Sequence, residues 1–161
     1  MKNKLVTGMI SMCLFVTGLI FGTVVTAKIL TEISEEYRKA SDKFGRLFLL
    51  MSQWVQIRQE GKCISSYFHK NGYQTVAVYG LGRVGETLIK ELSGSDISVA
   101  YAIDQKADKG SDGFIVSPES VLEQVDVVVV TPVASYGEIK LKLKEKMNCP
   151  IVSIEDILFE V

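Results

Sequence analysis

The chain has 161 residues, 47% of them hydrophobic, and a formal net charge of −1, enough for one ordinary domain plus an anchor or small extra element. That charge argues against a general nucleic-acid binder, which would carry a basic surface. Three widely spaced cysteines (Cys13, Cys63, Cys149) without a CxxC, and a single histidine, indicate no zinc site, no disulfide framework and no histidine-based metal site.

Charge is placed unevenly. Residues 1–30 hold Lys2, Lys4 and Lys28 with no acid, and residues 5–27 carry no charge at all. A helix over those 23 positions would be about 34 Å long, enough for a hydrocarbon core of about 30 Å. Eleven of the positions are Leu, Ile, Phe or Val, against eight Gly, Ser or Thr, so insertion is favourable but not by a wide margin. Residues 1–30 are therefore expected to form a transmembrane anchor. The rival is a cleaved signal peptide with Val25-Thr26-Ala27 as its small-residue site, but the apolar run exceeds the usual length of such a segment. Lys28, Arg38, Lys39, Lys43 and Arg46 after the span, against Lys2 and Lys4 before it, place the C-terminal side in the cytoplasm. Gly18 and Gly22 form a GxxxG pair through which two such helices could dimerise.

Residues 31–72 read as a helical linker. Positions 31–42 are charged, with little apolar face, and Ser41 or Asp42 is placed to cap a new amphipathic helix running to about Glu60. Its apolar stripe (Phe44, Leu47, Phe48, Met51, Trp54, Val55) suits packing on the domain or on a second copy. Gly61 is a stop signal. A short helix over 64–70 should end at Asn71-Gly72, with His69 solvated near its end.

Residues 73–161 carry the organised part. An apolar strand, 75–79, runs into Gly80, Gly82 and Gly85 and at once into a helix, 84–93; a second strand, 98–103, ends in Asp104. This is a dinucleotide-binding fingerprint in its expected context. Gly80 permits the sharp turn, Gly82 lets backbone approach a pyrophosphate, and Gly85 lets helix and strand pack closely. The amides opening the helix would face phosphates. Asp104 stands where a carboxylate can accept from ribose, which suits NAD over NADP, although Lys106 softens that distinction and a plain strand-end turn is the alternative. A third strand is expected at 114–116, and Ser117-Pro118 signals a helix start. Strand four, 125–131, is an almost unbroken β-branched run suited to burial on both faces. Residues 135–147 are expected to be a crossover helix despite a local period of two, because a parallel return needs a dozen or more residues. Strand five, 151–153, leads through Ser153 into a last short helix.

The fold class is thus α/β: a doubly wound, Rossmann-like parallel sheet in the order 3-2-1-4-5, preceded by one transmembrane helix and an amphipathic linker. The ligand crevice is expected beyond the carboxyl ends of strands one and four. That places Gly80, Leu81, Gly82, Arg83, Val84, Gly85, Asp104, Thr131 and Pro132 around one cleft, with NAD, NADP, a nucleotide sugar or coenzyme A as the candidate ligands.

No catalytic set is legible. Tyr136 and Lys140 stand in the order YxxxK of short-chain dehydrogenases but follow the wrong strand, which favours a chance helix-surface pair. Cys149 has no basic neighbour to activate it. No substrate domain follows within the sequence, so an accessory module is expected in preference to a complete enzyme.

The stretches VAVYGLGRVGETLIKELSGSDISVAYAID and GFIVSPESVLEQVDVVVVTP resemble the Rossmann-like domain of membrane-bound nucleotide-sugar dehydratases and epimerases of bacterial surface-polysaccharide synthesis. Residues 43–74 are similar to the leader of small proteins found beside glycosyltransferases in capsule or exopolysaccharide gene clusters. The resemblance covers roughly residues 42–161 and implies a nucleotide ligand and a glycosyltransferase or other polysaccharide-synthesis partner. This chain departs from it in having one span and no separate catalytic domain. Two alternatives stay open: an oxidoreductase or sugar-nucleotide-modifying enzyme completed by a partner subunit, and a sensor resembling the cytoplasmic regulatory domains of potassium transport systems, which GLGRVG also suggests.

Overall fold

The computed structural model describes residues 2–105 and 113–161, with the side chains at 2–11, 13, 14, 16, 17 and 20 outside that description. Lys106, which softens the NAD-over-NADP distinction drawn from Asp104, therefore lies outside the described residues. The chain divides into two units, Met1–Arg46 and Leu47–Val161.

The first unit is helix alone. Helix α1 runs without a break over Lys2–Gln59, so its backbone joins the expected anchor to residues 31–59 of the expected linker. The predicted new start at Ser41 or Asp42 is corrected: both positions lie inside the helix. Residues 28–44 contain neither Gly nor Pro and are rich in Glu and Lys, so nothing breaks the ladder that Ser41 could restart. Among the described residues no helix is long and apolar enough to cross a membrane. Much of the expected span 5–27 has its side chains outside the described residues.

In the second unit α1 ends in a Schellman motif: the Lys62 amide donates to the Ile57 carbonyl and the Gly61 amide to Arg58, each at 3.1 Å. Gly61 takes a φ of +74°, which glycine adopts without a Cβ clash. Helix α2 (Ser65–Asn71) stops in the same way at Gly72. His69 lies in its last turn, exposed and 3.0 Å from Asp96.

The sheet has five strands, all parallel: β1 (Thr75–Tyr79), β2 (Ser98–Ile103), β3 (Ile115–Val116), β4 (Val127–Val130) and β5 (Ile151–Ser153). Their order, β3-β2-β1-β4-β5, is the expected one. Helix α3 (Arg83–Leu92) joins β1 to β2, α4 (Tyr136–Lys144) joins β4 to β5, and α5 (Ile154–Glu160) follows β5. The Ser153 hydroxyl accepts from the Glu155 amide, a side-chain cap as expected.

Alternation along the strands divides the core in two. Val76, Val78, Val127 and Val129 face one layer with Leu50, Trp54 and Ile57 of α1, Phe68 of α2, Leu88 and Leu92 of α3, and Ile157 and Leu158 of α5. Ala77, Tyr101, Val128 and Val130 face the other, with Ile139 and Leu143 of α4 and Leu122 and Val125 of the β3–β4 connection. Covered on both sides, β4 can be the unbroken valine run it is.

That connection corrects a second expectation, because no helix forms after Ser117-Pro118. The Ser117 carbonyl instead accepts from the Ser120 amide at 3.0 Å in a turn, and its hydroxyl faces the Glu119 amide at 3.3 Å. Distance explains the outcome. The connection must pass β2 and β1, about 14 Å of lateral travel, and also return along the sheet. Its ten residues would cover only about 15 Å as a helix but about 33 Å extended.

Candidate functional site

At the carboxyl end of β1 the chain turns sharply into α3. Gly80 has a φ of +94°, and its amide donates to the Ile103 carbonyl at the end of β2 at 2.8 Å. A Cβ on Gly80 would lie 2.8 Å from Thr131 Oγ1 and 2.9 Å from the Pro132 ring. A Cβ on Gly85 would come within 2.0 Å of the Gly80 carbonyl oxygen. Both glycines therefore have the jobs expected of them, the turn and the close helix–strand approach. Each job is satisfied entirely within the protein.

Gly82 differs. It is the N-cap of α3 with ordinary extended angles (φ −73°, ψ −178°), and a Cβ built there would meet no atom within 4 Å. Neither backbone conformation nor internal packing demands glycine at this position. No side chain caps the N-terminus of α3 either, leaving its opening amides without that form of satisfaction.

The loop is braced from two neighbouring strands. From the end of β2, Asp104 Oδ2 accepts the Leu81 amide at 2.8 Å. From the end of β4, the buried Thr131 places its hydroxyl 2.9 Å from the Gly80 carbonyl and 3.1 Å from that of Tyr79, while its amide donates to Tyr79 at 3.0 Å. The sheet order thus brings Asp104, Thr131 and Pro132 to the glycine turn, as the sequence reading expected. Their chemistry is partly different: one Asp104 oxygen holds the loop, and the Thr131 hydroxyl faces inward.

The nine predicted residues separate by exposure. Gly82 and Arg83 are exposed, and Leu81, Asp104 and Pro132 are half-buried. Val84 and Gly85 are buried, and the Val84 side chain belongs to the core layer that includes Val76, Val78, Trp54 and Leu88.

Elsewhere the reactive groups are occupied or unactivated. Tyr136 donates its hydroxyl to the Ile151 carbonyl at 2.8 Å, and Lys140 Nζ donates to that hydroxyl at 2.9 Å. The YxxxK pair is therefore a contact fastening α4 to β5. Burial pushes the Cys149 thiol above its ordinary pKa, against thiolate chemistry. Burial, with smaller contributions from Cys149 and Glu123, raises the Tyr101 phenol to about 12, and its hydroxyl donates to the Glu123 carbonyl. Among the described residues no cluster of three or more His, Cys, Asp or Glu side chains could hold a metal ion.

Two supports escaped the sequence reading. Glu91, on α3, accepts from Trp54 Nε1 at 2.5 Å and from the Ile64 amide at 3.4 Å, and lies 3.6 Å from Arg58. At the opposite end of the sheet from the glycine turn, Asp126 Oδ2 accepts from the Gln74 amide at 2.9 Å, the Thr75 amide at 2.7 Å and the Thr75 hydroxyl at 2.9 Å. Its position just before the valine run was the available signal.

Comparison with protein-family models, with curated proteins and with solved structures found no match to this chain.

Proposed function

We propose that the chain is a membrane-anchored nucleotide-binding module whose glycine turn receives the diphosphate of NAD, NADP, a nucleotide sugar or coenzyme A. One observation carries the reading: of the three glycines in the turn, only Gly82 has no internal reason to be glycine, and it lies exposed at the N-terminus of α3. A bare Cα there allows backbone amides and the positive end of a helix to approach an anion. Asp104, already hydrogen-bonded to this loop, is positioned to join ribose recognition, which favours NAD among the candidates.

The uncharged run 5–27 supports the anchor, and the excess of Lys and Arg after it supports a cytoplasmic C-terminal domain. The resemblance to domains of surface-polysaccharide enzymes supports an accessory or regulatory place in that synthesis, beside a glycosyltransferase or a related enzyme. The test is calorimetric titration of the full-length chain in detergent with NADH, NADPH, a UDP-sugar and coenzyme A. Saturable binding of at least one, abolished by Gly82→Val, is expected. Absence of binding across the panel would overturn the reading.

A further inference from the structure

We propose that α1 pairs with α1 of a second copy in a parallel coiled coil whose seam runs from Leu19 to Phe44. The inference is independent of any ligand at the glycine turn. Its seam is longer than the Gly18/Gly22 pair and differently placed.

Three observations carry it. First, residues 21–46 of α1 are exposed throughout. The large apolar side chains Leu19, Leu30, Ile33, Tyr37 and Phe44 are 45–75% exposed. Unpaired, this stretch gains nothing from burial, and helices in proteins owe most of their stability to the packing of an apolar face.

Second, unbroken helix turns scattered apolar residues into a regular line. Leu19, Thr23, Thr26, Leu30, Ile33, Tyr37, Ala40 and Phe44 follow one another at alternating steps of four and three, a strict heptad over nearly four repeats. Of the nine charged residues between 28 and 46, none falls on that line. The Thr26 hydroxyl already donates to the Gly22 carbonyl at 2.8 Å, so burying Thr26 would leave no donor unpaired.

Third, charge and composition fit a second copy in parallel register. Across the seam, position 29 of one helix meets 34 of the other, and 36 meets 41; these pairs are Ile29 with Ser34 and Glu36 with Ser41, without like charges. Nine charges between 28 and 46 keep that part of the helix out of a hydrocarbon core, so lipid cannot cover Ile33, Tyr37 and Phe44 in its place. An antiparallel pair aligning the same line would set residues 19–26 opposite 37–44, bringing the uncharged stretch of one helix beside Arg38, Lys39, Asp42 and Lys43 of the other. In the parallel pair the uncharged stretch faces itself and the charged stretch faces itself.

The test uses the full-length chain in detergent, with Cys13 and Cys63 changed to Ser. Leu30→Cys, Tyr37→Cys and Phe44→Cys should form disulfide-linked dimers on copper-phenanthroline oxidation. Glu35→Cys and Asp42→Cys, off the seam, should remain mostly uncrosslinked. Sedimentation of the unmodified chain should give twice the monomer mass, reduced to one by Tyr37→Glu with helicity retained by circular dichroism. A monomeric chain, or equal crosslinking on and off the seam, would overturn the proposal.

Discussion

The hydroxyl of Thr131 lies 2.9 Å from the carbonyl oxygen of Gly80, joining the end of β4 to the turn that leaves β1. The same carbonyl is hemmed in from the other side by Gly85, where a methyl would approach to 2.0 Å. The Thr131 hydroxyl and the missing side chain at Gly85 thus hold the turn together with the Asp104 contact to Leu81. Thr131→Val should destabilise the domain by about 1–3 kcal/mol, because the Gly80 carbonyl loses the hydroxyl donor while the Tyr79 carbonyl keeps the residue 131 amide. Gly85→Ala should cost about 3 kcal/mol or more, since backbone has to move. Denaturant titration checks both, and an unshifted midpoint for either would contradict the bracing described.

Gly82→Val should separate ligand binding from folding. Valine is a poorer N-cap than glycine, but it meets no neighbour, so its stability cost should stay near 1 kcal/mol. Affinity for the dinucleotide panel should fall below detection in the same variant. A thermal melt beside each titration distinguishes this outcome from loss of fold, and unchanged affinity would count against a phosphate cradle.

Asp126 should make stability fall in acid. Hydrogen bonds from Thr75 and Gln74 hold its carboxyl below the ordinary value, with the Thr75 amide the largest cause. A depressed folded-state pKa stabilises the fold fully above the unfolded value of about 3.9, and that contribution disappears as pH falls through the lowered one. The stability difference between the native protein and Asp126→Asn should accordingly be full at pH 6 and shrink below about pH 4. Urea titrations across that range measure it. A difference independent of pH would mean the ionised carboxylate is not what holds Gln74 and Thr75.

Glu91 fastens the end of α1 to α3. Its side chain is only 15% exposed and receives the indole N–H of Trp54, the protein's one tryptophan. Glu91→Ala should cost about 1.5–3 kcal/mol, as expected for losing hydrogen bonds to a charged acceptor. Glu91→Gln should recover part of this. Tryptophan emission should shift to the red in the alanine variant, and an unaltered spectrum would mean Trp54 keeps its surroundings without that carboxylate.

Patterns local to the chain were enough to identify much of this fold. The strands at 75–79, 98–103 and 151–153, the sheet order and the stops at Gly61 and Gly72 follow from alternation, glycine conformation and the reach of a parallel crossover. The placing of Gly80 and Gly85 in a tight turn was legible for the same reason: only a residue without a Cβ fits there. Distance between elements was not legible. Ser117-Pro118 carries a sound helix-start signal, yet the span from β3 to β4 is too wide for ten helical residues, and only the assembled sheet imposes it. The inward turn of the Thr131 hydroxyl, the capture of Leu81 by Asp104 and the docking of Trp54 on Glu91 join residues between 23 and 52 positions apart, and no local pattern brings such pairs together. The uncharged run 5–27 likewise pointed to a helix, whereas continuity through Ser41 and Asp42, which carries the heptad line on to Phe44, emerged only in three dimensions.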